Sequence, residues 1–281
     1  MPPVSSESEF AVTAVVCTFG AMDVRPAAPA IARRTFLAGT AAGFAAAAWP
    51  AGAAASRPTG VIELFTSQGC SSCPPADAAL VDFAADPDVL ALGYHVDYWD
   101  YLGWKDTLAS PENTARQRAY AKTLGSRTVY TPQAVINGRA HMNGGDRRAI
   151  RSALRTHRAS GDGLSVPVSV DVTNDRLSVS VGDGRKPAGA DTLLTIAYFR
   201  QRSAVEIERG ENAGRTLVYA NAVTAQRTLG MWDGGPMSID LPKSKVAEHA
   251  ADGCAVLLQM AIDGAPGPVL GAANLTGLER A

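Results

Sequence analysis

Cys70 and Cys73 stand three positions apart, separated by Ser71 and Ser72 and followed at once by Pro74 and Pro75. That spacing suits a dithiol that opens and closes a disulfide, because residues i and i+3 share one face of a helix. The prolines mark a first helical turn, where a missing N–H would lack an intrahelical partner anyway. Free N–H groups and the positive end of the helix dipole favour a thiolate on Cys70, which makes it the attacking group. Cys73 is then the resolving thiol, and Ser71 and Ser72 tune the surroundings of the pair.

The same spacing also serves a permanent disulfide or half of a metal site. Zinc asks for about four ligands, and Cys254 with His249 makes a thin second half. Copper(I) suits soft thiolates better, with His95, His141 or Met142 as conceivable partners. Three readings therefore stand: thiol-disulfide exchange, a copper(I) carrier, or a binding module with a structural bridge. Exchange leads, with no metal ligands and no cofactor, since neither a dinucleotide nor a phosphate-binding glycine loop is evident. Cys254 heads the apolar run Cys254-Ala255-Val256-Leu257-Leu258, which predicts a buried, inert thiol.

The elements that must hold the pair are legible around it. An apolar strand, Val61 to Phe65, precedes the cysteines, and the helix they open runs to about Phe83. A second strand, Val89 to Asp97, follows, as a strand-helix-strand unit with a parallel sheet requires. His95 and Asp97 alternate onto one face at its end, where chemistry collects in open α/β sheets, and are candidates for managing thiol protons. Trp99, Tyr101 and Trp104 follow as a candidate apolar rim for an extended partner. Ser110 as cap, Pro111 at the first position and Gly125 as stop announce another helix. Pro132 opens a short apolar strand that ends in the Asn137-Gly138 hairpin turn. Asp146 to His157 reads as a closing helix.

Together these features resemble the thioredoxin superfamily across about residues 58 to 160. More narrowly, ELFTSQGCSSCPPAD, HVDYWDYLGWKD, TPQAVINGR and RGENAGRTL look like the secreted thioredoxin-like family catalogued as domain of unknown function 1223. The resemblance implies that the Thr131–Pro132 bond is cis and that Thr131 and Pro132 hold an extended substrate strand beside the cysteines. It also implies a thioredoxin-like fold and a redox site at the cysteine pair, while the family itself carries no settled activity. Glu63 is tempting as the carboxylate that thioredoxins bury beneath the pair. Counting back from Cys70, however, puts Leu64 at that spacing, and neighbouring strand residues face opposite ways.

After Ala159-Ser160-Gly161-Asp162-Gly163 the period changes. Leu164–Val172, Arg176–Val181, Thr192–Phe199, Thr216–Ala220, Met237–Leu241 and Cys254–Ile262 are short, often alternating runs between turn residues. They predict a separate antiparallel β-sandwich-like domain over 161–281, after an α/β thioredoxin-like domain over 56–160. The polar cluster from Arg209 to Arg215 reads as a surface hairpin in preference to a loop docked on the cysteine half.

Arg33-Arg34-Thr35-Phe36-Leu37 stands before an uncharged Ala/Gly-rich stretch, the pattern of a twin-arginine export signal. That stretch is too short and too weakly apolar for a permanent span. Ala53-Ala54-Ala55 predicts cleavage near Ala55, so 1–55 is leader, with Met22 a more ordinary start than Met1. Cys17 leaves with the leader, and an oxidising envelope tolerates disulfides. The expected location is periplasmic or secreted. A formal net charge of −1 gives no basic field for nucleic acid, and a membrane is met only during export. The expected partners are envelope protein thiols or disulfides and a redox-recharging protein.

Overall fold

The computed structural model describes residues 54–278. The export motif, Cys17 and both candidate start methionines lie outside the described residues, whereas Ala55 lies in the first strand.

In chain order the elements are β1 (Ala54–Ser56), β2 (Gly60–Thr66), α1 (Pro74–Ala84), β3 (Val89–His95), α2 (Pro111–Thr123), β4 (Gln133–Ile136), β5 (Ala140–Asn143) and α3 (Arg147–Ala159). There follow β6 (Val168–Thr173), β7 (Arg176–Val181), β8 (Asp191–Ile207), β9 (Arg215–Met231), β10 (Met237–Pro242), α4 (Ser244–Glu248), β11 (Gly253–Ile262) and β12 (Ala265–Thr276). The result is a mixed α/β protein in which one large sheet carries most of the strands. Its order is β1-β12-β11-β8-β9-β3-β2-β4-β5, and a smaller sheet runs β10-β7-β6.

Local chemistry explains the elements around the cysteines. Pro74 and Pro75 fill the first two positions of α1 behind Cys73. Ser110 Oγ caps α2 by accepting the Asn113 N–H, and Asp146 caps α3 by accepting the Ala149 N–H. β2 and β3 are parallel, while β4 runs antiparallel to β2 and β5 to β4. β2 is buried along its whole length, so its faces are told apart by what they meet. Ile62 and Leu64 join Ala76, Ala79, Leu80 and Phe83 of α1, whereas Val61 and Phe65 join Leu90, Leu92, Tyr94 and Tyr120 on the other face.

The second half does not close into a separate sandwich. β8 and β9 are each 17 residues long, more than twice the runs legible in the sequence, and they extend the sheet of the first half. The join is Gly93 opposite Ala222. A Cβ on Gly93 would sit 3.1 Å from the Ala220 carbonyl oxygen, so glycine lets the β9 backbone come close. Asn221, at φ 45°, donates from its side chain to the Ala91 carbonyl at 2.8 Å and pins the contact. Sandwich-like packing exists locally: Val168, Val170, Leu177, Val179 and Val181 of the small sheet pack on Leu194, Ile196, Val256 and Leu258 of the large one. The Asn137-Gly138 turn forms as expected and is buried against the start of β12. The sequence reading missed β12, whose prolines and glycines interrupt its apolar run.

Candidate functional site

Cys70 and Cys73 form a disulfide with Cα atoms 5.4 Å apart. Cys73 is the N-cap of α1, and its carbonyl accepts from the N–H groups of Ala76 and Asp77. Both sulfurs are buried while Ser71 and Ser72 are exposed. Ser72 Oγ lies 3.4 Å from Cys70 Sγ, within reach of a weak hydrogen bond to sulfur.

One helical turn past Cys73, Asp77 turns inward. Its Oδ1 accepts the Thr66 hydroxyl at 2.6 Å. Thr66 and His95 are register partners on β2 and β3, and both lie on the face that α1 covers. His95 Nδ1 is 2.8 Å from Asp106 Oδ2, and the His95 ring meets the Tyr219 ring edge-on with centroids 4.6 Å apart. Asp106 also accepts the N–H groups of Gln68 and Leu108, which ties it to the turn that carries Cys70. Three buried polar atoms here have no protein partner among the described residues: Asp77 Oδ2, His95 Nε2 and the Tyr219 hydroxyl.

The electrostatics follow from this crowding. Burial pushes the Asp77 carboxyl up to about 7, against the opposing pull of the Thr66 hydrogen bond and the His95 charge. At His95 burial disfavours the imidazolium, but the charge and hydrogen bond of Asp106, helped by Asp77, raise its pKa above the ordinary value. Burial would raise Asp106, yet the His95 charge and its hydrogen bonds hold it below the usual carboxylate range. The arrangement can therefore keep a proton on Asp77 near neutral pH behind the disulfide.

The rim is tied to the cysteine turn from several elements. Trp99 donates its indole N–H to Thr131 Oγ1 at 2.8 Å, and its Cβ packs against Gly69. One residue therefore links the approach to Cys70 with the bond before Pro132, and the Thr131–Pro132 peptide is cis. Gly144 seats between Ala76 of α1 and Pro132, which sets the proline beside the start of the helix. Trp104 donates its indole N–H to Gln68 Oε1 at 2.8 Å. Both tryptophans are half-buried, and Tyr101 is 78% exposed.

The tip of the β8–β9 hairpin completes the rim. Asn212 is buried and donates to the carbonyls of Gln68 at 2.9 Å and Cys70 at 3.0 Å. Glu211 Oε2 accepts the Ser71 N–H at 3.3 Å. This corrects the surface-hairpin reading of Arg209–Arg215, which dock on the cysteine turn.

Other candidates are placed elsewhere. β3 ends at His95, so Asp97 leaves the strand alternation and accepts the Thr114 hydroxyl on α2 at 2.6 Å. Glu63 faces away from α1 and pairs with Arg116 at 2.6 Å and with Tyr120. His141 bonds to Tyr130 and Met142 packs on the core beside α3, so neither joins the cysteines. Cys254 is fully buried in β11, and burial pushes its thiol up to about 12. Among the described residues no three His, Cys, Asp or Glu side chains group as metal ligands. Sequence reasoning missed Asp77 and Asp106, and it singled out Glu211 and Asn212 only within the polar cluster it read as a surface hairpin. Asp77 left a signal, four positions after Cys73 on the same helical face. Asn212 is 142 positions from Cys70, and nothing local connects them.

A mixed α/β chain with a buried disulfide at a helix start is the class this geometry defines. The chain belongs to the protein family of unknown function DUF1223, whose model matches residues 61–259. It is similar to a crystal structure of a structural-genomics target from Agrobacterium tumefaciens. That protein is 46% identical, with 79% of this chain and 96% of that chain covered at a TM-score of 0.72. It also resembles in fold HBP35 of Porphyromonas gingivalis, at 14% identity and a TM-score of 0.56, covering 80% of this chain and 77% of that one. No curated protein matches. No helix among the described residues is long and apolar enough to cross a membrane.

Proposed function

We propose that the protein is an exported thiol-disulfide oxidoreductase with a thioredoxin-like arrangement of β2, α1, β3, β4, β5 and α3. The observation that carries this reading is the Cys70–Cys73 disulfide at the head of α1 with the protonatable, buried Asp77 one turn behind it. A bridge kept only for stability has no use for an acid there, since a buried carboxyl with one hydrogen bond costs stability.

In the oxidising direction a substrate thiolate attacks Cys70 Sγ. The new S–S bond joins substrate to Cys70 as the Cys70–Cys73 bond breaks, and Cys73 leaves with the electron pair as a thiolate. Asp77 gives its proton to that sulfur, and the His95 imidazolium balances the carboxylate left behind. A second substrate thiolate then attacks the substrate sulfur of the mixed disulfide and releases Cys70. Two electrons have passed from substrate to the pair, and a partner disulfide recharges it. The reverse sequence reduces a substrate. Thr131 and cis-Pro132 offer backbone to an extended substrate, with Trp99, Tyr101 and Trp104 as its apolar border. The periplasmic or secreted location and the envelope partners belong to this proposal.

The test equilibrates the protein with glutathione buffers of graded poise and counts alkylated thiols at Cys70 and Cys73. A reversible midpoint between about −120 and −270 mV is expected. A pair that stays oxidised below about −300 mV would mark a structural bridge and end the proposal.

A further inference from the structure

The hairpin tip brings a carboxylate from the second half of the chain to the backbone beside the attacked Cys70. Asn212 fixes the tip by its two hydrogen bonds to the Gln68 and Cys70 carbonyls, and Arg215 holds its Oδ1 at 2.9 Å. The neighbouring residue, Glu211, thereby reaches the N–H of Ser71, the residue next to Cys70. Gly210, at φ 80°, lies against Trp104, whose Cβ would be 3.2 Å from any side chain added there. Of the tip's other charges, Glu208, Arg209 and Arg215 are exposed, and Arg215 keeps its charge while donating to the neutral Asn212 amide. Among the tip's charged groups only the Glu211 carboxylate is hydrogen-bonded to the cysteine turn.

We infer that Glu211, positioned by Asn212, selects substrates by charge: thiols flanked by positive groups reach Cys70 in preference to thiols flanked by negative ones. This deepens the exchange reading and rests on it. The carboxylate repels an incoming anionic thiol and attracts a cationic one. Because Glu211 is exposed, salt must weaken the charge selection.

The experiment measures how fast cysteamine, a cationic thiol, and mercaptoethanesulfonate, an anionic one, open the disulfide in the oxidised full-length chain. The readout is the ratio of the two rates, each corrected for the thiol's own thiolate fraction. Glu211→Gln should lower the cysteamine preference by roughly threefold, the size expected of an exposed charge pair. Asn212→Ala, which keeps the carboxylate but frees the tip, should lower it in the same direction. The wild-type preference should itself fall as ionic strength rises, a check that needs no variant. A ratio unchanged by Glu211→Gln or insensitive to salt overturns the inference while leaving exchange intact. A disulfide that neither thiol opens in the folded protein overturns the exchange reading, and the selection proposed on it, together.

Discussion

Thr66 donates its hydroxyl to Asp77 Oδ1 at 2.6 Å, and the other carboxyl oxygen of Asp77 is buried with no partner among the described residues. One hydrogen bond is too little to hold a carboxylate charge away from water, so burial pushes this group from 3.8 up to about 7. The consequence is a stability that depends on pH with a definite sign. Between about pH 4 and pH 7 the unfolded chain has lost this proton and the folded one has kept it. The folded state then binds more protons, so stability falls as pH rises through that window and is flat above it. Asp77→Asn keeps an oxygen for Thr66 and has no charge to bury. Urea unfolding of the oxidised protein should find the variant equal to wild type near pH 4 and more stable near pH 8, by a few kcal/mol at most. Equal stability at both values would mean that Asp77 ionises without penalty.

Much of this arrangement could be read locally, and the limits of that reading are physical. Ser110-Pro111, Asp146 and the Cys73-Pro74-Pro75 helix start are contacts over a few residues, and each forms where its pattern places it. The length of β8 and β9 was not legible. Their outer halves alternate polar and apolar only weakly, because one edge of β9 leans on α1 and β3 instead of water. The site divides the same way. Cys70, Cys73 and Pro132 carry motifs, while Asp106 and Asn212 act only because the fold closes gaps of 11 residues to His95 and 142 to Cys70. Asp77 stands in the first turn of α1, where the helix dipole alone would explain an acidic residue.

Gly93 is the hinge of that closure. Its absent Cβ lets the Ala220 carbonyl approach to within 3.1 Å of where the atom would lie, with Leu80 Cδ2 at 3.4 Å. Leu80 can shift, but the β9 backbone is held by the Asn221 side chain on Ala91. Gly93→Ala should therefore cost about 1–3 kcal/mol in denaturant unfolding, and Gly93→Val more. An unaffected Gly93→Val would show that the two halves of the sheet separate freely.

On the opposite face, the Glu63 carboxylate is fully buried and meets the Arg116 guanidinium at 2.6 Å, with Arg116 also donating to Gln259 at 2.9 Å. Both charges have left water, so the pair stabilises less than its closeness suggests, but breaking it strands a charge. Arg116→Met should cost about 3–5 kcal/mol. The double variant Glu63→Met with Arg116→Met removes both charges and should recover a large part of that loss. A double variant as unstable as the single one would place the cost in lost packing around Tyr94 and Tyr120, which the guanidinium overlies.

Cys254 separates reactivity from mere presence of a thiol. It sits in β11 between β8 and β12, fully buried, and burial pushes its thiol up to about 12. At neutral pH almost none is thiolate, and the thiolate is the nucleophile. Alkylation of the native, oxidised protein should leave Cys254 unlabelled, and denaturant should expose it with the cooperativity of global unfolding. After mild reduction of the native protein, label should appear on Cys70 first, because the free N–H groups and positive dipole at the head of α1 favour its thiolate. Cys73, the equally buried N-cap of α1, should follow more slowly. Peptide mass spectrometry at graded times resolves the three sites. Early labelling of Cys254 would mean that β11 opens locally, and Cys73 labelled ahead of Cys70 would reverse the roles of attacking and resolving thiol.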